Sequence, residues 1–154
     1  MAIGHGWDIH RLVAGRKFLL GGVEIPHPAG PLGHSDGDVL LHAIIDALLG
    51  AAGLGDIGQL FPDTDPALKG ISSETMIAKT MELLKGKWAL VNIDATVITE
   101  APKIAPHREA IRAKVAALTG CPQVNIKAKT YEKLGPVGEG TAIECHAVAE
   151  LRPA

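Results

Sequence analysis

The sequence predicts a single α/β domain of the α+β kind, built on one mixed β-sheet with helices packed mainly on one face. Two observations lead there. The 154 residues suit one domain, and no linker, repeat or low-complexity tract divides them. Stretches of period-2 alternation and stretches with apolar residues three and four apart are mixed along the chain, in the order strand, hairpin, helix, helix, strand, helix, strand, strand.

Ile3 to His10 reads as the first strand. Phe18 to Leu20 and Val23 to Ile25 flank Gly21-Gly22, the signature of a hairpin. Residues 26–37 are dense in proline and glycine and read as a loop. Ser35 or Asp36 then caps a helix that runs to about Ala52, with Leu41, Ile44, Ile45 and Leu48 on its apolar face. Asp38, His42 and Asp46 are four apart and form one polar stripe on it. Residues 53–70 read as a second loop. A second helix starts near Ser73 and stops at Gly86, burying Ile77, Met81 and Leu84. Leu90 to Thr99 alternates and reads as a strand. Pro106 opens a third helix and Gly120 follows its end. Val124 to Thr130 and Ala142 to Leu151 complete the strands.

The composition removes several functions. Aromatic residues make up 3% of the chain, too few for extensive base stacking, and the net charge is -2, so nothing draws in nucleic acid. The most apolar stretch, Val39 to Leu54, is broken by His42 and Asp46 and is too short to span a bilayer. The N-terminus lacks a signal-peptide profile. Cys121 and Cys145 form no Cys-x-x-Cys pair and read as free thiols, so a reducing, cytoplasmic location is expected.

Asp8 and His10 are two apart on a strand, so both side chains point the same way. That suits a two-atom grip on one metal ion, with His42 from the facing helix as third ligand. Two imidazoles and a carboxylate match zinc, and three protein ligands leave a fourth position open. Asp46, one turn after His42, is placed to orient a ligand histidine. Taken alone, the same residues could be polar groups at element ends. The run His34-Ser35-Asp36-Gly37-Asp38 leads into the His42 helix and offers backbone N–H groups to a phosphate, or a plain cap.

A second group lies at residues 127–135. Lys127, Lys129 and Lys133 supply positive charge, Thr130 a hydroxyl, and Glu132 the one carboxylate. The mix suits a diphosphate bridged by a divalent ion held by Glu132; the alternative is a solvated strand end.

Seven motifs now stand in one order. They are Gly-His-Gly-Trp-Asp-Ile-His (4–10), Gly-Gly-Val-Glu-Ile-Pro (21–26), Gly-His-Ser-Asp-Gly-Asp-Val-Leu-Leu-His-Ala (33–43), Gly-Asp-Ile-Gly (55–58), Phe-Pro-Asp-Thr-Asp (61–65), Ala-Pro-Lys (101–103) with Pro106-His107, and Lys-Ala-Lys-Thr-Tyr-Glu-Lys-Leu-Gly (127–135). Together, from Ile3 to about Leu151, they resemble the 2-C-methyl-D-erythritol 2,4-cyclodiphosphate synthase family. The resemblance implies cyclisation of 4-diphosphocytidyl-2-C-methyl-D-erythritol 2-phosphate with release of CMP, in the non-mevalonate isoprenoid pathway. It implies a homotrimer with active sites at subunit interfaces. It places zinc on Asp8, His10 and His42, and magnesium or manganese on Glu132. It assigns catalytic positions to His34, Thr130 and Glu132. It gives the phosphate turn to His34 and Ser35 and the methylerythritol contacts to Asp56, Gly58 and Asp63. Phe61 joins these or packs in the core. The cytidine pocket falls to Ala101, Pro102, Lys103, Ile104 and Ala105, with Ala128, Lys129 and Thr130, from the neighbouring subunit. One departure from the family pattern is Glu139: the resemblance implies an arginine about there, near a trimer-axis cavity that in the family can hold an isoprenoid diphosphate. An acid there counts against anion binding.

Two other readings stay open from the residues alone. One is a metal-dependent phosphoesterase with Asp46 as base. The other is a non-catalytic trimeric metal-binding scaffold, which needs a fourth protein ligand, His5 or His34.

Overall fold

A computed structural model describes residues 1–154. Its centre is a five-stranded sheet in the order β4-β1-β7-β5-β6. The strands are β1 (Ala2–Ala14), β4 (Ala29–Pro31), β5 (Trp88–Ile98), β6 (Val124–Lys129) and β7 (Ala142–Pro153). Only β5 and β6 run parallel; the other neighbours are antiparallel. The hairpin of β2 (Phe18–Leu20) and β3 (Val23–Ile25) stands apart as a two-stranded ribbon.

The long helices cover one face. α1 (Val39–Ala52) lies across β1, β7 and β5, and α4 (Arg108–Thr119) lies against β6. α3 (Ser73–Leu84) packs on both helices. α1 is buried almost all round: Leu40, Leu41, Ile44, Ile45, Leu48 and Leu49 are fully enclosed between sheet, hairpin and neighbouring helices. The other face of the sheet is uncovered, with Ile3, Trp7, Ile9 and Val148 exposed there.

The structure corrects the sequence reading at the loops. The cap of α1 is Asp38, not Ser35 or Asp36. Its carboxylate accepts from the backbone N of Leu41 at 3.1 Å, and also from Gly21 at 2.9 Å and Gly22 at 2.7 Å, so it ties the hairpin turn to the helix. Burial pushes this carboxyl up despite the three amide donors. Residues 26–37 contain β4, which pairs Leu12 with Pro31. The second loop contains the short helix α2 (Ile57–Leu60), and a further short helix, α5 (Gly135–Gly138), precedes β7. β1 continues past His10, and β6 stops at Lys129. No helix is long and apolar enough to cross a membrane.

Candidate active site

The site begins with two glycines. Gly4 and Gly6 face α1, and a Cβ on either would lie 1.9 Å from a helix carbonyl, Ala47 O or Ala43 O respectively. Only hydrogen fits there, so α1 lies directly on the β1 backbone. His42, just before Ala43, is thereby brought onto Asp8, two residues after Gly6.

Asp8, His10 and His42 come together as expected, their donor atoms all within 4.8 Å of one another. Asp8 Oδ2 is 2.9 Å from His42 Nδ1 and 3.3 Å from His10 Nδ1. These edges are close to the roughly 3.3 Å separation of ligand atoms around a tetrahedral metal with bonds of about 2.0–2.1 Å. Two further observations fit a cation. His10 Nδ1 is buried and makes no aligned hydrogen bond, despite its closeness to Asp8.

The other observation concerns the tautomer of His42. Its Nε2 lies 2.9 Å from Ser73 Oγ and 3.1 Å from Ser35 Oγ. The Ser73 hydroxyl donates to the Asp36 carboxylate in a short bond, so it accepts from His42. Nε2 then carries the proton, and Nδ1 turns a lone pair towards the Asp8 carboxylate. In the neutral ring these two acceptors repel at that distance, and a positive charge shared between them, a metal ion or a second ring proton, relieves it.

No fourth protein ligand joins the cluster. His5 is on the opposite face of the sheet, bonded to His146, and His34 reaches outward to 3.7 Å from Asp63. The coordination is open, which does not favour the closed scaffold. Asp46 does not orient a histidine: its Oδ1 accepts from Ile57 N at 2.7 Å and holds α2 in place, while burial pushes its carboxyl up. The orienting role belongs to Ser73 and Asp36, which sequence reasoning missed. Ser73 was legible as a helix start; that its fully buried hydroxyl meets a histidine 31 positions away had no sequence signal.

The cluster opens on a cavity of about 770 Å³. His34, Ser35, Asp46, Gly58, Phe61 and Asp63 line it, as do Arg11 and Lys69, two cations absent from the sequence-based set. Phe61 is 7% exposed and part of the core, and its edge also reaches the cavity wall. Asp56 is not in the wall; its carboxylate caps α2 by accepting from Gln59 N at 2.8 Å.

The second predicted group does not reach this cavity. Ala101 to Ala105, Ala128 to Thr130 and Glu132 gather at the far ends of β5 and β6 instead. There Thr99 N donates to Lys129 O, and Glu100 accepts from the backbone N of Tyr131 at 3.2 Å. Thr130 Oγ1 donates to Glu132 Oε1 at 2.8 Å, and Glu132 adopts a positive φ of 50°. Ala101-Pro102 is a cis peptide.

Comparison with known proteins agrees with the geometry. A 2-C-methyl-D-erythritol 2,4-cyclodiphosphate synthase of Gloeobacter violaceus is 55% identical over 98% of this chain and 94% of its own. A bifunctional enzyme IspD/IspF of Albidiferax ferrireducens is 57% identical over 97% of this chain, which spans only 37% of that longer protein. A solved 2C-methyl-D-erythritol-2,4-cyclodiphosphate synthase in a CDP-bound form matches with a TM-score of 0.90 at 40% identity, over 97% of this chain and 99% of the other. The YgbB family model matches residues 1–152, and the chain belongs to the YgbB family.

Proposed function

We propose that this chain converts 4-diphosphocytidyl-2-C-methyl-D-erythritol 2-phosphate to 2-C-methyl-D-erythritol 2,4-cyclodiphosphate with release of CMP, in the non-mevalonate isoprenoid pathway, acting as one synthase domain over residues 1–154. The observation that carries this is an open three-donor cluster at the wall of a large cavity, in a chain about 55% identical to named synthases over nearly its whole length.

Asp8, His10 and His42 would hold zinc, and Glu132 a magnesium or manganese ion, whose hard charge suits a carboxylate oxygen. Bound there, the ions would supply positive charge to phosphate oxygens as CMP departs. The remaining work is positioning. The attacking phosphate belongs to the substrate, so no activated thiol is needed; Cys121 and Cys145 are both buried, with burial pushing both thiols up. The His34–Ser35 turn, with Arg11 and Lys69 at the same wall, would receive phosphate oxygens. Gly58 and Asp63 would bind the methylerythritol part, with Asp56 holding the α2 turn. Ala101 to Ala105 with Ala128 to Thr130 would take the cytidine. Thr130 would steady the Glu132 carboxylate, to which it already donates. Holding both ends of one flexible molecule is a large share of the rate.

The cytidine and Glu132 group lies away from the cavity within one chain, which supports a site completed by the neighbouring subunit of a homotrimer. The uncovered apolar face of the sheet supports the same assembly. Glu139, exposed at the end of α5, would oppose an isoprenoid diphosphate near the trimer axis.

The test is product analysis with the diphosphocytidyl substrate and magnesium. Cyclic diphosphate and CMP in equal amounts are expected. A linear phosphate formed with water would overturn the reading in favour of a phosphoesterase.

A further inference from the structure

The sheet face turned away from α1 carries a polar cluster that the proposed reaction does not use. Trp7 in β1 pairs with His146 in β7, and His5, two residues earlier, points the same way. His5 Nε2 lies 3.2 Å from His146 Nδ1, with the rings tilted by 30°. On its other edge, His146 Nε2 lies 2.8 Å from Glu144 Oε1. Glu144 is 6% exposed and also accepts from Trp7 Nε1 at 2.9 Å and Tyr131 OH at 2.8 Å.

Glu144 fixes the tautomer of its neighbour. Burial favours its neutral form, but the Trp7, His146 and Tyr131 donors outweigh that and hold its pKa below the ordinary value. An ionised carboxylate only accepts, so His146 Nε2 carries a proton and Nδ1 presents a lone pair towards His5 Nε2. A carboxylate behind an imidazole, orienting it and raising its basicity, is the usual backing of a metal-binding histidine. The 3.2 Å gap matches the roughly 3.3 Å edge of a tetrahedral site with metal–nitrogen bonds of about 2.0–2.1 Å. The buried Glu144 charge also lacks a lysine or arginine; its one ion-pair partner within 4.0 Å is His146.

We propose that His5 and His146 form a second transition-metal site, with Glu144 as the residue that positions His146. Two neutral imidazoles select a borderline divalent ion such as zinc, cobalt or nickel over calcium or magnesium. The remaining coordination positions fall to water, or to the same histidines of a neighbouring copy stacked on this face. The site is separated from the Asp8 cluster by the sheet itself and does not depend on the synthase reading.

Cobalt titration of the metal-stripped full chain, followed by calorimetry and visible absorption, tests this. The wild type should take up cobalt at two classes of site. His42→Ala should lose the first and keep the second. His5→Ala and His146→Ala should each keep the first and weaken the second at least about tenfold, and Glu144→Gln should weaken it about 10- to 100-fold. Circular dichroism of each variant checks that it is folded. If the wild type shows only the class that His42→Ala abolishes, or if both the His5→Ala and His146→Ala proteins bind cobalt as the wild type does, the site does not exist.

Discussion

His42 is useful because both of its ring nitrogens are committed: Nε2 to the serine hydroxyls and Nδ1 to the Asp8 side. Ser73→Ala should therefore weaken zinc binding about 10- to 100-fold without unfolding the chain, as read by metal competition and a thermal melt. Ser73→Thr, which keeps the hydroxyl, should restore most of it. Asp8 and His10 also give the metal-free protein a pH signature. Burial raises Asp8, but the His10 and His42 rings beside it outweigh that and hold it low. Stability from a depressed carboxylate is present above its unfolded pKa and lost as pH falls through the folded one. Burial lowers His10, but its contact with Asp8 outweighs that and holds it high. Stability from a raised imidazole is present below its unfolded pKa and lost as pH rises through the folded one. The contribution is complete between about pH 4 and 6.5 and declines on either side. Melts of chelator-treated protein across pH should show this dome, and Asp8→Asn should flatten it. Glu132→Gln should lower the cyclisation rate about 100-fold or more in magnesium while zinc content stays constant, because glutamine is a poor ligand for a hard cation. Near-normal turnover would remove Glu132 from the mechanism. At this scale the ligands were legible, since Asp8 and His10 share a strand face and His42 stands in the narrow polar stripe of an otherwise apolar helix. Ser73 and Asp36 were not, because their role depends on where α3 docks.

β1 and α1 behave as one unit because of what is missing between them. The glycines at 4 and 6 remove the side chains that normally space a helix from a sheet, and the metal cluster sits at the end of that contact. Gly6→Ala places a methyl 1.9 Å from Ala43 O. It should destabilise the chain by about 3 kcal/mol or more in urea unfolding. Zinc affinity should fall with it, since His42 moves with the helix. Strand and helix periods located these elements in the sequence. The alternation of glycine with exposed Ile3, His5 and Trp7 was not read as a docking strip, because a missing Cβ carries no hydrophobic signal. The short pieces β4, α2 and α5 escaped for another reason. Each is three or four residues long and is held by tertiary contacts rather than by a periodic pattern.

The mixed sheet with helices on one side was legible in the whole molecule, because alternation and helical stripes follow one another along the chain and need one common core. The sheet order was not, since β1 and β7 come from opposite ends of the sequence. Size measurement should find a trimer at working concentration; a stable, active monomer would sink the assembly. The distance between the cavity and the Glu132 group then has a genetic consequence. An Asp8→Asn chain and a Glu132→Gln chain are each expected to be inactive alone. Refolded together in equal amounts, they should regain activity, because one interface can pair the intact cluster of one chain with the intact carboxylate of another. Random mixing gives about a quarter of the sites both intact halves. If each chain instead built its site alone, every site would carry one lesion and mixing would recover nothing. Two defective alleles in one cell should thus rescue each other, and a change confined to one half of the site should be recessive to a change in the other.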